Sequence, residues 1–114
     1  MLEMNTNMRL NEKSFNLIKN NQKTIEYRLN DEKRQKLKVG DTITFYKLPD
    51  KQESIRVIIK ELKYYKNLLA MFTECKDQYF KDKDPQEKVN ETTFYSEEDI
   101  QKYGCIAIVF QRLD

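Results

Sequence analysis

The stretch Asn21-Gln22-Lys23-Thr24-Ile25-Glu26-Tyr27-Arg28, residues 21–28, decides how the rest of this sequence is read. Thr24, Ile25 and Tyr27 favour extended backbone. Along a strand, alternate side chains share a face. Glu26 and Arg28 therefore point one way, and Ile25 and Tyr27 the other. Lys23 stands just before the strand, where alternation is not yet enforced and the backbone can aim it at the same place. An ammonium, a carboxylate and a planar guanidinium converging on one cavity suit a polar or anionic ligand. The plain alternative is a solvated strand of alternating charge, where a Glu–Arg pair contributes only ~0–1 kcal/mol.

Working outward, Asn11 is a suitable N-cap for a helix from Glu12 to about Asn20, with Phe15, Leu17 and Ile18 on its apolar side. The segment before it reads as strand or coil. The quoted motif then forms a strand over about Thr24–Leu29. Asp31 to Leu37 is charged on nearly every side and reads as a short exposed turn of helix. Val39-Gly40-Asp41 turns the chain into a strand over Thr42–Lys47, where Ile43 and Phe45 alternate with polar neighbours. Leu48 to Lys51 is a turn. A long strand follows over Ser54–Tyr65. Ile55, Val57 and Ile59 share one face and Ile58 and Leu62 the other, so it bends or is buried on both sides. Leu68, Leu69, Met71 and Phe72 mark a short helix, and Glu74 to Glu91 a polar helix-loop excursion. Ser96 caps a helix with acids in its first turn that runs to Tyr103. Gly104 ends it, and a last strand runs from Gly104 to Phe110.

Composition narrows the chemistry. A chain of 114 residues with two glycines and two prolines reads as one domain over 1–114, without a flexible linker. The longest strongly apolar run, Cys105 to Phe110, is far below the ~20 residues that span a bilayer. The N-terminal residues lack the pattern of a signal peptide. The expectation is a cytoplasmic protein with no membrane partner, whose Cys75 and Cys105 are free thiols, Cys75 half exposed. The sequence contains no histidine. That excludes His-based triads and His-ligated zinc, and no metal or cofactor is expected. Residues 1–67 carry net charge +6 and residues 68–114 net −4, so the motif lies in the basic part. A basic face suits a phosphate-bearing partner; a solvated lysine-rich surface accounts for it equally well. Tyr27, Tyr46, Tyr64, Tyr65 and Tyr95 are candidates for stacking on an unpaired base. Each is also an ordinary core or rim residue by type, and at most one of the adjacent Tyr64 and Tyr65 can face a ligand.

The spacing Lys23-x-x-Glu26-x-Arg28 resembles the G-x-K-x-x-E-x-R signature of ASCH domains, small relatives of the PUA domain. Asn21 stands where that family usually has glycine, and asparagine tolerates the left-handed backbone a tight turn requires. The resemblance extends over the helix before the motif, Lys38 to Phe45 after it, and the final strand. It implies an α+β fold, a PUA-like and mostly antiparallel β-barrel with short helices covering its ends and a cleft beside the motif strand. It implies RNA or a modified nucleotide in that cleft, held by Lys23, Glu26 and Arg28 with Tyr27, Tyr46 and Tyr64 as further ligand-binding residues.

Three other functions stay open. Some small ASCH proteins are amidohydrolases that deacetylate N4-acetylcytidine with the motif lysine, a threonine three residues later and a distant glutamate. Lys23 matches the lysine, and catalysis here would fall to Lys23 and Glu26. The threonine position is occupied by Glu26, Thr24 lies one register position away, and Glu74 and Asp77 are the candidates for the later acid. Such chemistry asks Lys23 to accept a proton, which an adjacent Glu26 opposes, so an ion pair is the expected state. A ribonuclease would use Lys23, Glu26 and Arg28. The acidic segment from Asp77 to Asp99 would instead suit a protein-interaction module.

Overall fold

The structure, a computed structural model, describes residues 4–76 and 82–113. In chain order the elements are β1 (Asn5–Leu10), α1 (Glu12–Lys19), β2 (Ile25–Leu29), β3 (Thr42–Lys47), β4 (Ser54–Tyr65), α2 (Leu68–Glu74), α3 (Pro85–Glu91), α4 (Glu97–Tyr103) and β5 (Cys105–Arg112), with a 3-10 turn at Arg34–Lys36. The strands form one sheet in the order β1-β3-β4-β5-β2. β1 runs parallel to β3, and the remaining neighbours are antiparallel.

β5 explains the architecture. Its apolar run has no polar face because both faces are covered. Ile106, Ile108 and Phe110 enter a core with Phe15 and Ile18 of α1, Met8 and Leu10 of β1, Ile43, Phe45, Ile55, Val57 and Ile59. Cys105 and Ala107 point the other way, into a smaller core with Leu68, Met71, Phe72, Cys75 and Ile25. The period of two sorts the same strand into two cores. β4 resolves its two-sided pattern with a bulge: the register shifts between Ile59 and Glu61, leaving Lys60 as the extra residue.

The helix boundaries follow their caps. Asn11 accepts from the Ser14 N–H at 2.8 Å, Asn67 from Ala70 at 2.8 Å and Ser96 from Asp99 at 3.1 Å. Glu97, Glu98 and Asp99 occupy the first turn of α4, where the helix dipole favours negative charge.

The expected barrel does not close by strand pairing among the described residues. The sheet is curled, with β1 and β2 as its free edges. Cys75, expected at half exposure, is buried, and its Sγ shares a hydrogen bond with the Tyr65 hydroxyl at 3.0 Å. Both cysteines are free thiols. Among the described residues no helix is long and apolar enough to cross a membrane.

Gly104 joins α4 to β5 with φ 72° and ψ −170°, a region essentially restricted to glycine. A Cβ there would lie 2.9 Å from the Tyr65 carbonyl oxygen. Gly104→Ala is therefore expected to destabilise the fold by about 1–3 kcal/mol, as read by chemical denaturation. An unchanged midpoint would show that this backbone is not constrained.

Candidate functional site

The site starts with the end of α1. Asn21 adopts φ 61°. Its N–H donates to the Ile18 carbonyl at 3.0 Å, and the Gln22 N–H to that of Leu17 at 2.8 Å. This paired arrangement is the Schellman helix end, with asparagine in the left-handed position that glycine usually takes. It reverses the chain so that Lys23 arrives beside β2 before the strand begins. The Lys23 N–H also donates to the Leu17 carbonyl, at 3.2 Å.

Lys23, Glu26 and Arg28 meet. The Lys23 ammonium lies 2.8 Å from Glu26 Oε1. Arg28 places Nη2 2.8 Å and Nε 2.9 Å from Oε2 of the same carboxylate. Glu26 is buried and paired across the sheet with Ile108, Arg28 with Ile106. Both charged side chains therefore project from the face that elsewhere builds the large core, at the edge where no further strand covers them. Burial disfavours the Glu26 carboxylate; Lys23 and Arg28 outweigh it by charge and hydrogen bonding, and hold the carboxyl below its ordinary range.

Arg28 has a second task. Its Nη2 donates to the Arg9 carbonyl at 3.1 Å. Lys33 Nζ donates to the Asn7 carbonyl at 2.7 Å. Residues 7 and 9 stand two apart on β1, so their carbonyls face the same way, away from β3. Two cationic side chains from β2 and the turn after it thus satisfy edge carbonyls that a neighbouring strand would otherwise take. The seam between β1 and β2 is bridged by side chains.

Beside this network opens a cleft of about 470 Å³. Arg9, Lys13, Lys88 and Arg28 bring positive charge to its lining, and Tyr27, Phe72, Phe94 and Tyr95 bring aromatic surface. β2 is an edge strand, so residues from both of its faces reach the cleft. The Tyr27 ring stands edge-on to Phe72 at 5.2 Å, and its hydroxyl donates to the Cys75 carbonyl at 3.1 Å. Phe94 is 74% exposed on the rim and meets Tyr95 edge-on at 4.6 Å. Burial, opposed in part by the Arg28 charge, raises the Tyr95 hydroxyl pKa.

The other candidates are distributed elsewhere. Tyr46 lies outside the cleft and lines a second recess with Asn7, Arg9, Lys33 and Lys51. Tyr64 projects into solvent from β4 and lines neither, while Tyr65 turns inward against the smaller core. Thr24 is exposed. Glu74 is exposed at the end of α2 and does not line the cleft; Asp77 lies outside the described residues. Sequence reasoning passed over Phe94, Arg9, Lys13 and Lys88. The available signal was the Phe94-Tyr95 pair just before a polar cap, a place where an unburied aromatic has no packing reason.

A curled α+β sheet whose edge strand presents a buried charged network to an aromatic cleft defines a class, and the comparisons give it a family. The chain belongs to the ASCH domain family, whose pattern it matches over residues 8–113. The crystal structure of the hypothetical protein PH0355 is 34% identical over 96% of this chain and 100% of that one, with a TM-score of 0.82. The solution structure of PF0455 from Pyrococcus furiosus is 30% identical over 99% of each chain, with a TM-score of 0.70. A mutant ZmASCH protein from Zymomonas mobilis shares the fold at 13% identity, covering 92% of this chain and 66% of that one, with a TM-score of 0.56. No curated protein matches the chain.

Removing the buried carboxylate tests the network. Glu26→Gln strands two cations and should cost about 3–5 kcal/mol near neutral pH. The folded Glu26 pKa lies below its ordinary value of 4.5. Its contribution is therefore complete above that value and is lost as pH falls through the folded pKa. The stability gap between wild type and Glu26→Gln should narrow on acidification in urea titrations. A gap that is constant or widens with acid would contradict the pairing.

Proposed function

We propose that this ASCH domain binds RNA in the cytoplasm by receiving an unpaired, ordinary or modified, base in the cleft beside β2. The observation that carries this reading is the juxtaposition of the Lys23–Glu26–Arg28 network with the exposed Phe94 and the half-buried Tyr95 on one cleft. Every base has a π-face, so an exposed aromatic ring is a sequence-tolerant platform worth about 1–3 kcal/mol per stacked base. Arg28 is fixed through Nε and Nη2, while its Nη1 has no hydrogen-bond partner among the described residues. That leaves an oriented donor for a base edge or phosphate. The cationic rim supplies the salt-dependent part of the affinity.

Binding is favoured over hydrolysis by the state of the motif itself. Both Glu26 oxygens are engaged by cations, at 2.8 Å each, which leaves this carboxylate poorly placed to activate water. Its position is the one where the deacetylating relatives carry threonine. Glu74 lies away from the cleft. Part of the acidity that would suit a protein-interaction module is used in the first turn of α4.

Single-stranded RNA should bind in a salt-sensitive manner. Phe94→Ala should weaken it by about 1–3 kcal/mol with an unchanged melting temperature, because the ring is exposed. Fluorescence anisotropy titrations decide this, and an unaltered affinity would remove Phe94 from the interface. Incubation of the protein with N4-acetylcytidine should release no acetate. Release that depends on Lys23 and survives substitution of a remote lysine would replace the binding reading with an enzymatic one.

A further inference from the structure

A second recess, of about 350 Å³, lies across the β1 strand from the cleft. Its lining is Asn7, Arg9, Lys33, Tyr46 and Lys51. The register explains the grouping. Arg9 of β1 pairs with Tyr46 of β3, and both stand on the face opposite the buried Met8, Leu10 and Phe45. Asn7 is two residues along the same face. Lys33 is drawn in by its hydrogen bond to the Asn7 carbonyl. Lys51 comes from the turn after β3, with φ 60° and its N–H bonded to the Lys47 carbonyl at 2.8 Å.

No carboxylate lines this recess. No carboxylate stands within ion-pair distance of Arg9, Lys33 or Lys51 among the described residues. Burial, and the charges of Arg34, Arg28 and Arg9, depress the Lys33 pKa below the usual lysine range, with Asp31 alone opposing. Three cations brought together around a hollow that Asn7 and Tyr46 also line are stabilised by an anion that supplies several acceptor oxygens. Arg9 lines this recess and the cleft alike, so a ligand running from one to the other passes along the β1–β2 seam.

We propose that this recess holds a backbone phosphate of a single-stranded nucleic acid whose base lies in the neighbouring cleft, so that the ligand is a strand and not a free nucleoside. The proposal rests on the base-binding reading above and gives it a substrate class. The chemistry recognised is a phosphodiester, which RNA and single-stranded DNA both carry.

The test uses the full chain, a short mixed-sequence RNA, DNA of the same sequence, and cytidine. Wild type, Lys33→Gln/Lys51→Gln, Lys51→Gln and Phe94→Ala are compared. Lys51 is exposed and outside both cores, so Lys51→Gln keeps the test valid if the double variant folds poorly. Titration of both strands into wild type identifies which polymer is the ligand. The recess variants should weaken that strand uniformly across sequences. They should also flatten its salt dependence, by about 0.7 in log–log slope for each phosphate left without its cation. The melting temperature of Lys51→Gln, and the chemical-shift changes caused by cytidine in both recess variants, should match wild type. Unchanged affinity and slope in both recess variants, with strand binding still weakened by Phe94→Ala, would overturn the phosphate site and leave the cleft reading intact. Weakening in the recess variants, with no effect of Phe94→Ala or of cytidine, would support the phosphate site and overturn the cleft reading. No salt-sensitive binding of either strand to wild type would overturn both.

Discussion

The carboxylate of Glu26 is the constraint on which the rest of this structure depends. It sits on an edge strand, on the face that faces a hydrophobic core, and is nearly sealed from water. A lone carboxylate there would take up a proton or force the strand outward. It remains ionised because Lys23 arrives from one side and Arg28 from two residues along the strand. Lys23 reaches it only because α1 ends in a left-handed turn at Asn21. A helix end, a strand register and a buried charge thus specify one another. Such ion pairs contribute little net stability and a large penalty when broken, which makes them better at fixing geometry than at holding a fold together.

The same arrangement explains why the sheet can remain open. An edge strand carries unpaired carbonyls that invite another strand. On β1 those of Asn7 and Arg9 are taken by Lys33 and Arg28. Side-chain donors substitute for the missing strand pairing, and they bring positive charge with them. The seam is therefore a cationic line, with a cleft on one side and a recess on the other. Structural satisfaction of the edge and attraction for an anionic ligand come from the same residues.

Apolar packing supplies the frame. β5 is buried on both faces and separates a large core under α1 from a smaller one under α2. The smaller core brings Phe72 and Tyr27 to the floor of the cleft. Phe94 and Tyr95 come from the connection between α3 and α4. Only Tyr95 packs against that core; Phe94 is left on the rim with its face open to solvent.

Much of this was legible in the sequence, because local rules govern it. The bounds of β3 and β4, the caps at Asn11 and Ser96 and the glycine after α4 follow from alternation, capping chemistry and backbone freedom within a few residues. The alternation of Glu26 and Arg28 about Tyr27, with Lys23 just ahead, put three charges on one site by the same logic, and the tolerance of asparagine for positive φ anticipated Asn21. What the sequence could not decide was which separate segments meet. Tyr46 and Tyr64 have residue types like those of Tyr27 and Tyr95, yet one lies across β1 and the other faces water. The parallel seating of β1 on β3, the open seam, the burial of Cys75 and the placing of Phe94 on the rim all depend on long-range pairing. Local periodicity fixes the direction in which a side chain points along its own strand. Only the packed sheet determines what stands opposite, because that is set by register and burial summed over residues distant in the chain.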